Sequence, residues 1–122
     1  MIQTLWIPVR MPGMNEILGA SNSSRFAYGA MKKKWGQTVG LFARMQGFKP
    51  IGGPAHFEFE CREPNRLRDP DNFASGAQKI ILDALQEAKL LENDGWEHVL
   101  SLMVTWKVDK KAPGVHLTVR EG

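Results

Sequence analysis

Residues 55–89 read AHFEFECREPNRLRDPDNFASGAQKIILDALQEAK, and the change of period within them decides the fold. Residues 55–62 alternate. Phe57, Phe59 and Cys61 point one way, and His56, Glu58, Glu60 and Arg62 the other, as a half-buried strand requires. From Asp71 to Lys89 the spacing becomes helical, with Phe73, Ala77, Ile80, Ile81, Ala84, Leu85 and Ala88 on one stripe. Between the two lies the turn Arg68-Asp69-Pro70-Asp71-Asn72, which puts two carboxylates at a helix start.

Towards the N-terminus, residues 2–10 read as a first strand, with Pro8 marking an edge or a bulge. Pro12 to Ser24 reads as a loop, on the turn residues Gly13, Asn15, Gly19 and Asn22. Ser23 or Ser24 is the expected N-cap of a helix over 25–46. Its stripe is Ala27, Met31, Trp35, Val39, Phe42 and Met45. Gly29, Gly36 and Gly40 weaken that helix by up to about 1 kcal/mol each relative to Ala, so packing must hold it. Phe48 to Pro54 is a turn.

Towards the C-terminus, residues 98–108 and 115–120 read as two more strands, with Val115, Leu117 and Val119 facing one side. The order β-α-β-α-β-β predicts a single α+β domain over 1–122, a small mixed sheet with two helices.

Composition narrows the chemistry. The chain has 122 residues, 43% of them hydrophobic, which suits one packed core. Its single cysteine, Cys61, excludes an internal disulfide and a Cys-based zinc site. His56, His98 and His116 lack zinc-ligand spacing. No apolar run is long enough for a membrane span, no signal-peptide pattern is present, and nothing calls for an organic cofactor, so a cytoplasmic setting is expected. Charge is uneven. Residues 1–68 carry ten Lys/Arg and four Asp/Glu, a net +6, and residues 69–122 carry six and nine, a net −3. Cations that grip a phosphate backbone beside carboxylates that hold a metal make up the division of labour of a nucleic-acid enzyme. Ordinary solvated surface charge is the plainer account.

Asp69 and Asp71 lie two apart on a turn fixed by Pro70, and Asp94 lies in the turn Leu91-Glu92-Asn93-Asp94-Gly95. A chain running down the helix and back up the next strand is expected to return Asp94 to the pair. Three such carboxylates suit Mg²⁺ or Mn²⁺ acting on a phosphodiester. Lys79, two turns into the helix, is placed to touch phosphate or steady the carboxylates. Each feature has a plainer reading: Asp-Pro-Asp-Asn as a turn with an N-cap, Asp94-Gly95 as a turn, and Lys79 with Asp83 as a surface ion pair.

The joint order resembles the RusA family of Holliday-junction resolvases. Arg68-Asp69-Pro70-Asp71-Asn72 matches the first part of the family motif, Lys79-Ile80-Ile81-Leu82-Asp83-Ala84-Leu85 the second, and Asn93-Asp94, with Asp94 eleven residues after Asp83, the third. The specific likeness covers residues 62–99; Pro12 with Asn15 echoes a further segment. Residues 74–77 lengthen the spacing from Asp71 to Lys79, and Asn93 stands where an acidic residue is common. The resemblance implies that Asp69, Asp71 and Asp94 bind the metal and that Lys79 is an active-site lysine. It also implies a homodimer acting on branched DNA, of bacterial and often phage or prophage origin.

Candidates for backbone contacts are Arg66, Arg68, Lys32, Lys33, Lys34, Lys107, Lys110 and Lys111. No major-groove reader is recognisable, so binding is expected to follow shape. The Pro70-Asp71…Glu87-Ala88-Lys89 spelling of another nuclease pattern is rejected, because its Glu and Lys need adjoining positions on a strand and here fall in a helix. The alternative is a non-catalytic DNA- or RNA-binding module, including an inactive relative that only binds junctions.

Overall fold

The computed structural model describes residues 1–122. In chain order the elements are β1 (Ile2–Ile7), α1 (Met14–Ser23), α2 (Arg25–Gln46), β2 (Ala55–Glu63), α3 (Pro70–Glu87), β3 (Val99–Val108) and β4 (Gly114–Glu121). The strands form one mixed sheet in the order β1-β4-β2-β3. β4 runs antiparallel to both its neighbours, and β2 and β3 run parallel, with α3 as the crossover. The α+β class and the mixed sheet are as expected.

Strand register builds the core. Leu5 lies opposite Leu117, and Leu117 opposite Phe59; Ile7, Val115 and Cys61 make a second row. Phe57 lies opposite Val119. All of these side chains are buried on the helical side of the sheet. The opposite face carries Glu58, Glu60, Arg62, His116 and Thr118, none of them buried.

The expected loop over 12–24 contains a third helix, α1. The Glu16 carboxylate accepts from the Gly13 N–H at 3.3 Å, and Ile17 is buried. Contacts with α2 and α3 outweigh the low helix propensity of its Gly, Asn and Ser residues. α2 has the expected bounds: the Ser24 hydroxyl accepts from the Ala27 N–H at 2.9 Å, and Gly47, in the left-handed region, ends the helix. The buried side of α2 differs from the expected stripe. Trp35, Gly36, Val39, Gly40 and Ala43 are inside, while Met45 is exposed. The glycines explain it, since a Cβ on Gly36 would stand 2.6 Å from Glu87 Cβ. They let α3 approach closely, and the buried stripe turns towards them.

The two borders of the sheet differ. β1 ends at Ile7, before Pro8, rather than at residue 10. Beside it the Gln46 carboxamide accepts from the Trp6 N–H at 2.9 Å and donates to the Trp6 carbonyl at 2.7 Å. On the far border β3 pairs only with β2, and most of its residues are exposed.

α3 also presses on the segment before α1. A Cβ on Gly76 would stand 2.2 Å from the Pro12 carbonyl oxygen. Gly76→Ala is therefore expected to cost about 1–3 kcal/mol in urea denaturation. Gly29→Ala, with open space around it, is expected to be neutral or to stabilise by up to about 1 kcal/mol. Equal effects at the two positions would contradict this packing.

Candidate active site

The start of α3 forms as its sequence requires. The residue before a proline is pushed to extended backbone, and Asp69 has φ −71° and ψ 145°. Pro70 suits the first helical position because it has no N–H to leave unpaired. The Asp69 carbonyl accepts from the N–H groups of Asn72 and Phe73 at 3.1 and 3.3 Å. Its carboxylate makes no capping bond, and both Asp69 and Asp71 are exposed. Asp71 lies in the first turn of α3.

A buried ion pair holds this helix start in place. The Arg68 guanidinium grips Glu63 with two bonds, from Nε at 2.9 Å and from Nη2 at 2.7 Å. Arg68 Nη1 also donates to the Met11 carbonyl at 3.0 Å, and the guanidinium lies 5.9 Å from the Phe73 ring centroid. Arg10 adds a contact to Glu63 at 3.3 Å. The Glu63 side chain is only 8% exposed and that of Arg68 13%. This corrects the expectation that Arg68 grips DNA, because its donors are committed to the fold. Glu63 escaped notice because strand β2 was expected to end at residue 62. By alternation it shares the inward face of Phe57, Phe59 and Cys61, and that parity was the signal. Asn72 completes the junction, its Oδ1 accepting from the Asn15 N–H at 2.8 Å.

Between the α3 start and the ends of β2 and β3 opens a cleft of about 320 Å³, lined among others by Arg66, Asp69, Phe73, Trp106 and Lys107. Phe73 and Trp106 meet edge to face at 6.1 Å and form its apolar wall. Lys107 lies 3.7 Å from Glu60. The Arg62 hydrogen bond, then Lys107 among other nearby charges, lower the Glu60 carboxyl below its ordinary value against the effect of burial. Lys110 and Lys111 follow in the turn after β3, where Asp109 Oδ1 accepts from the Lys111 and Ala112 N–H groups. Arg66, Lys107, Lys110 and Lys111 thus share the end of the sheet that carries Asp69 and Asp71. Lys32, Lys33 and Lys34 lie apart on α2. Lys32 sits over the Tyr28 ring and Lys34 over the Trp35 ring, at 5.7 and 5.2 Å.

Asp94 lies elsewhere. The turn that carries it precedes β3, and the His98 carbonyl that follows accepts from Ala55 N–H at the beginning of β2. This is the other end of the crossover. The 18 residues of α3 span about 27 Å at 1.5 Å each. The turn is set by Asn93, whose Oδ1 accepts from the Gly95 N–H at 2.9 Å. The expected return of Asp94 to the pair is therefore corrected: β3 begins at Val99, just after the Asp94 turn, and leads away from it. No three His, Cys, Asp or Glu side chains of the chain are grouped to share an ion. Asp69 and Asp71 together suit a magnesium ion that takes its other ligands from substrate phosphate and water. No third carboxylate of the chain joins them.

Lys79 takes the plainer of its two readings. It stands 3.5 Å from Asp83, one turn on, and about 12 Å along the helix axis from Asp71. The Tyr28 hydroxyl donates to the same Asp83 oxygen at 3.1 Å. Burial pulls the Lys79 ammonium down, but Asp83 and then Tyr28 outweigh it and the net shift is upward. Burial, then the Asp83 charge, push Tyr28 above its ordinary 10.0. Cys61 is no nucleophile, because burial pushes its thiol up to about 12.

No protein-family model matches the sequence, and no curated protein matches it.

Two outcomes are expected. Arg68→Ala strands Glu63 as a buried, poorly paired charge and should cost about 3 kcal/mol in urea denaturation, whereas Arg66→Ala should stay within about 0.5 kcal/mol. Raised values at Lys79 and Tyr28 mean that the folded state holds those protons more tightly. Their stabilisation is present below the ordinary values and lost as pH rises through the folded ones. The chain has a single tyrosine, so phenolate absorbance reads Tyr28 directly. Its folded midpoint should lie above 10.0, and Tyr28→Phe should lessen the fall in melting temperature at alkaline pH.

Proposed function

We propose that this chain is a structure-selective endodeoxyribonuclease, which hydrolyses phosphodiesters at four-way DNA junctions with Mg²⁺ or Mn²⁺ and works as a homodimer. The observation that carries the reading is the pair of open carboxylates, Asp69 and Asp71, at a helix N-terminus beside Arg66, Lys107, Lys110 and Lys111. The helix end and the cations attract phosphate. Bare carboxylates at that spot repel it, and the conflict is resolved when a divalent cation lies between them. Such an ion, when bound, neutralises charge on the scissile phosphate and lowers the pKa of a water. The protein's own part is positional. Arg68 and Glu63 fix the helix start, Phe73 and Trp106 wall the cleft, and the exposed cations track the backbone. The sequence likeness to the RusA family supports the junction as substrate, and a two-fold junction calls for two sites related by two-fold symmetry.

One observation favours the binding-only alternative: no three carboxylates gather within one chain. A labelled mobile junction, incubated with the protein and either magnesium or EDTA, separates the two readings. Cleavage with magnesium alone is expected. Asp69→Asn and Asp71→Asn should abolish cleavage and preserve junction binding. Arg66→Ala should flatten the salt dependence of binding by about 0.9 in slope if it neutralises one phosphate. Wild-type cleavage by either aspartate variant, or equal affinity for junction and linear duplex, would overturn the assignment.

A further inference from the structure

We infer that a groove between α2 and the segment leading into α1 binds one nucleotide of a DNA strand, its base on the apolar floor and its phosphate between Arg10 and Lys34. The strand that supplies the nucleotide rests on the nuclease reading above; the chemistry of the groove does not.

The groove has a volume of about 420 Å³, larger than the cleft of about 320 Å³ that Asp69 lines. One wall is the stripe Ala27, Ala30, Met31 and Lys34 of α2, and the other is the segment Arg10–Pro12. Residues three and four apart share one side of a helix, so the two alanines lie together. Their methyl groups leave open the space that longer side chains would fill. Beneath them Trp35 and Met11, 7% and 3% exposed, form the floor. An apolar floor with a few polar groups at its mouth is the usual build of a small-ligand site.

The charges at the mouth select an anion. Lys34 makes no ion pair and is held over the Trp35 ring. Arg10 touches Glu63 through one nitrogen at 3.3 Å, and its side chain remains 40% exposed. A guanidinium has five N–H donors, so most of those of Arg10 are free for a ligand. Glu16 is the one carboxylate lining the groove. Its Oε1 is already engaged by the Gly13 N–H at 3.3 Å and by Arg68 Nη1 at 3.5 Å. Two available cations above an apolar floor match a ligand with a flat apolar body and a phosphate, which is the chemistry of a nucleotide.

Position says where that nucleotide comes from. Arg68 lines both the groove and the Asp69 cleft, so the two lie on either side of the Arg68–Glu63 pair. A strand that passes the carboxylates has the groove as its next polar recess. Bases inside a linear duplex are stacked and paired, and moving one into a pocket is costly. The cost is least where pairing is already interrupted, as at a branch point. A groove that accepts one unstacked nucleotide beside the carboxylates therefore favours branched over linear DNA.

Binding is measured in an Asp71→Asn background, with labelled four-way junctions that carry one abasic residue, moved position by position through the branch region. Ala30→Phe fills the groove and keeps both cations, Lys34→Ala removes one cation, and Gly29→Ala, on the neighbouring residue with open space around it, is the control. In the parent an abasic residue should weaken binding at one position near the branch. Ala30→Phe should bind the intact junction about tenfold more weakly, the order lost with one base contact, and ignore the abasic position. Lys34→Ala should lower the salt slope by about 0.9, and Gly29→Ala should match the parent. Parental affinity or retained abasic sensitivity in Ala30→Phe overturns the inference. An unchanged slope in Lys34→Ala overturns it as well, whether or not Ala30→Phe folds. A deoxynucleoside monophosphate that binds the parent but not Ala30→Phe in equilibrium dialysis, while both bind junctions equally, overturns the strand as source in favour of a free nucleotide. The expected losses in Ala30→Phe and Lys34→Ala, together with a wild type that cuts no junction in magnesium, overturn the nuclease reading and leave the groove standing.

Discussion

The parallel pairing of β2 with β3 is the constraint on which the rest depends. Parallel neighbours cannot be joined by a hairpin, so the chain must cross over, and α3 is that crossover. A crossover helix begins where the first strand ends and finishes where the second begins. Everything placed before α3 therefore lies at one end of the sheet, and everything placed before β3 at the other. The two aspartates of the Asp69-Pro70-Asp71 turn belong to the first group and Asp94 to the second. Their separation follows from the topology and not from a loop that could swing.

A small number of contacts makes the α3 end rigid. Glu63 is the last residue of β2, and Arg68 stands immediately before the N-cap of α3. Their two-bond contact ties strand to helix, and the bond from Arg68 to the Met11 carbonyl ties both to the segment leading into α1. Buried ion pairs are costly to desolvate and contribute little net stability. Here the planar guanidinium fixes an angle between elements. The close approach of Gly76 to Pro12 and the bond from Asn15 to Asn72 act on the same joint. The exposed carboxylates are therefore mounted on backbone held from three sides.

Much of this was legible in the sequence. The clean alternation of 55–62 and the helical stripe after Asp71 gave β2 and α3 nearly to the residue, because burial on one face imposes an unambiguous period. The Ser23 or Ser24 cap and the helical period over 25–46 located α2. α1 was hidden because Gly, Asn and Ser are turn formers when judged locally, and only contacts with two other helices make them helical. The buried side of α2 was misjudged for a related reason: glycine carries no hydrophobic signal, yet Gly36 and Gly40 are where α3 comes closest. At the candidate site, residue types and the helix-start turn were readable. The distance from Asp71 to Asp94 was not, since it depends on whether β3 lies parallel or antiparallel to β2, which no local pattern states. Arg68 was misjudged because a charged residue in sequence does not reveal whether a carboxylate from another element is already beside it, here Glu63. The Lys79–Asp83 pair, by contrast, was readable from its i,i+4 spacing.

The contrast between the two borders of the sheet sets how far assembly can go. At β1 the Gln46 carboxamide occupies the Trp6 backbone groups that another strand would need. The β3 border carries no such side-chain plug. A molecule with one receptive side stops growing once that side is used, so end-to-end stacking into a fibre has no second surface on which to continue. Freeing the Trp6 backbone would give the sheet two receptive sides, the condition for an open-ended ribbon.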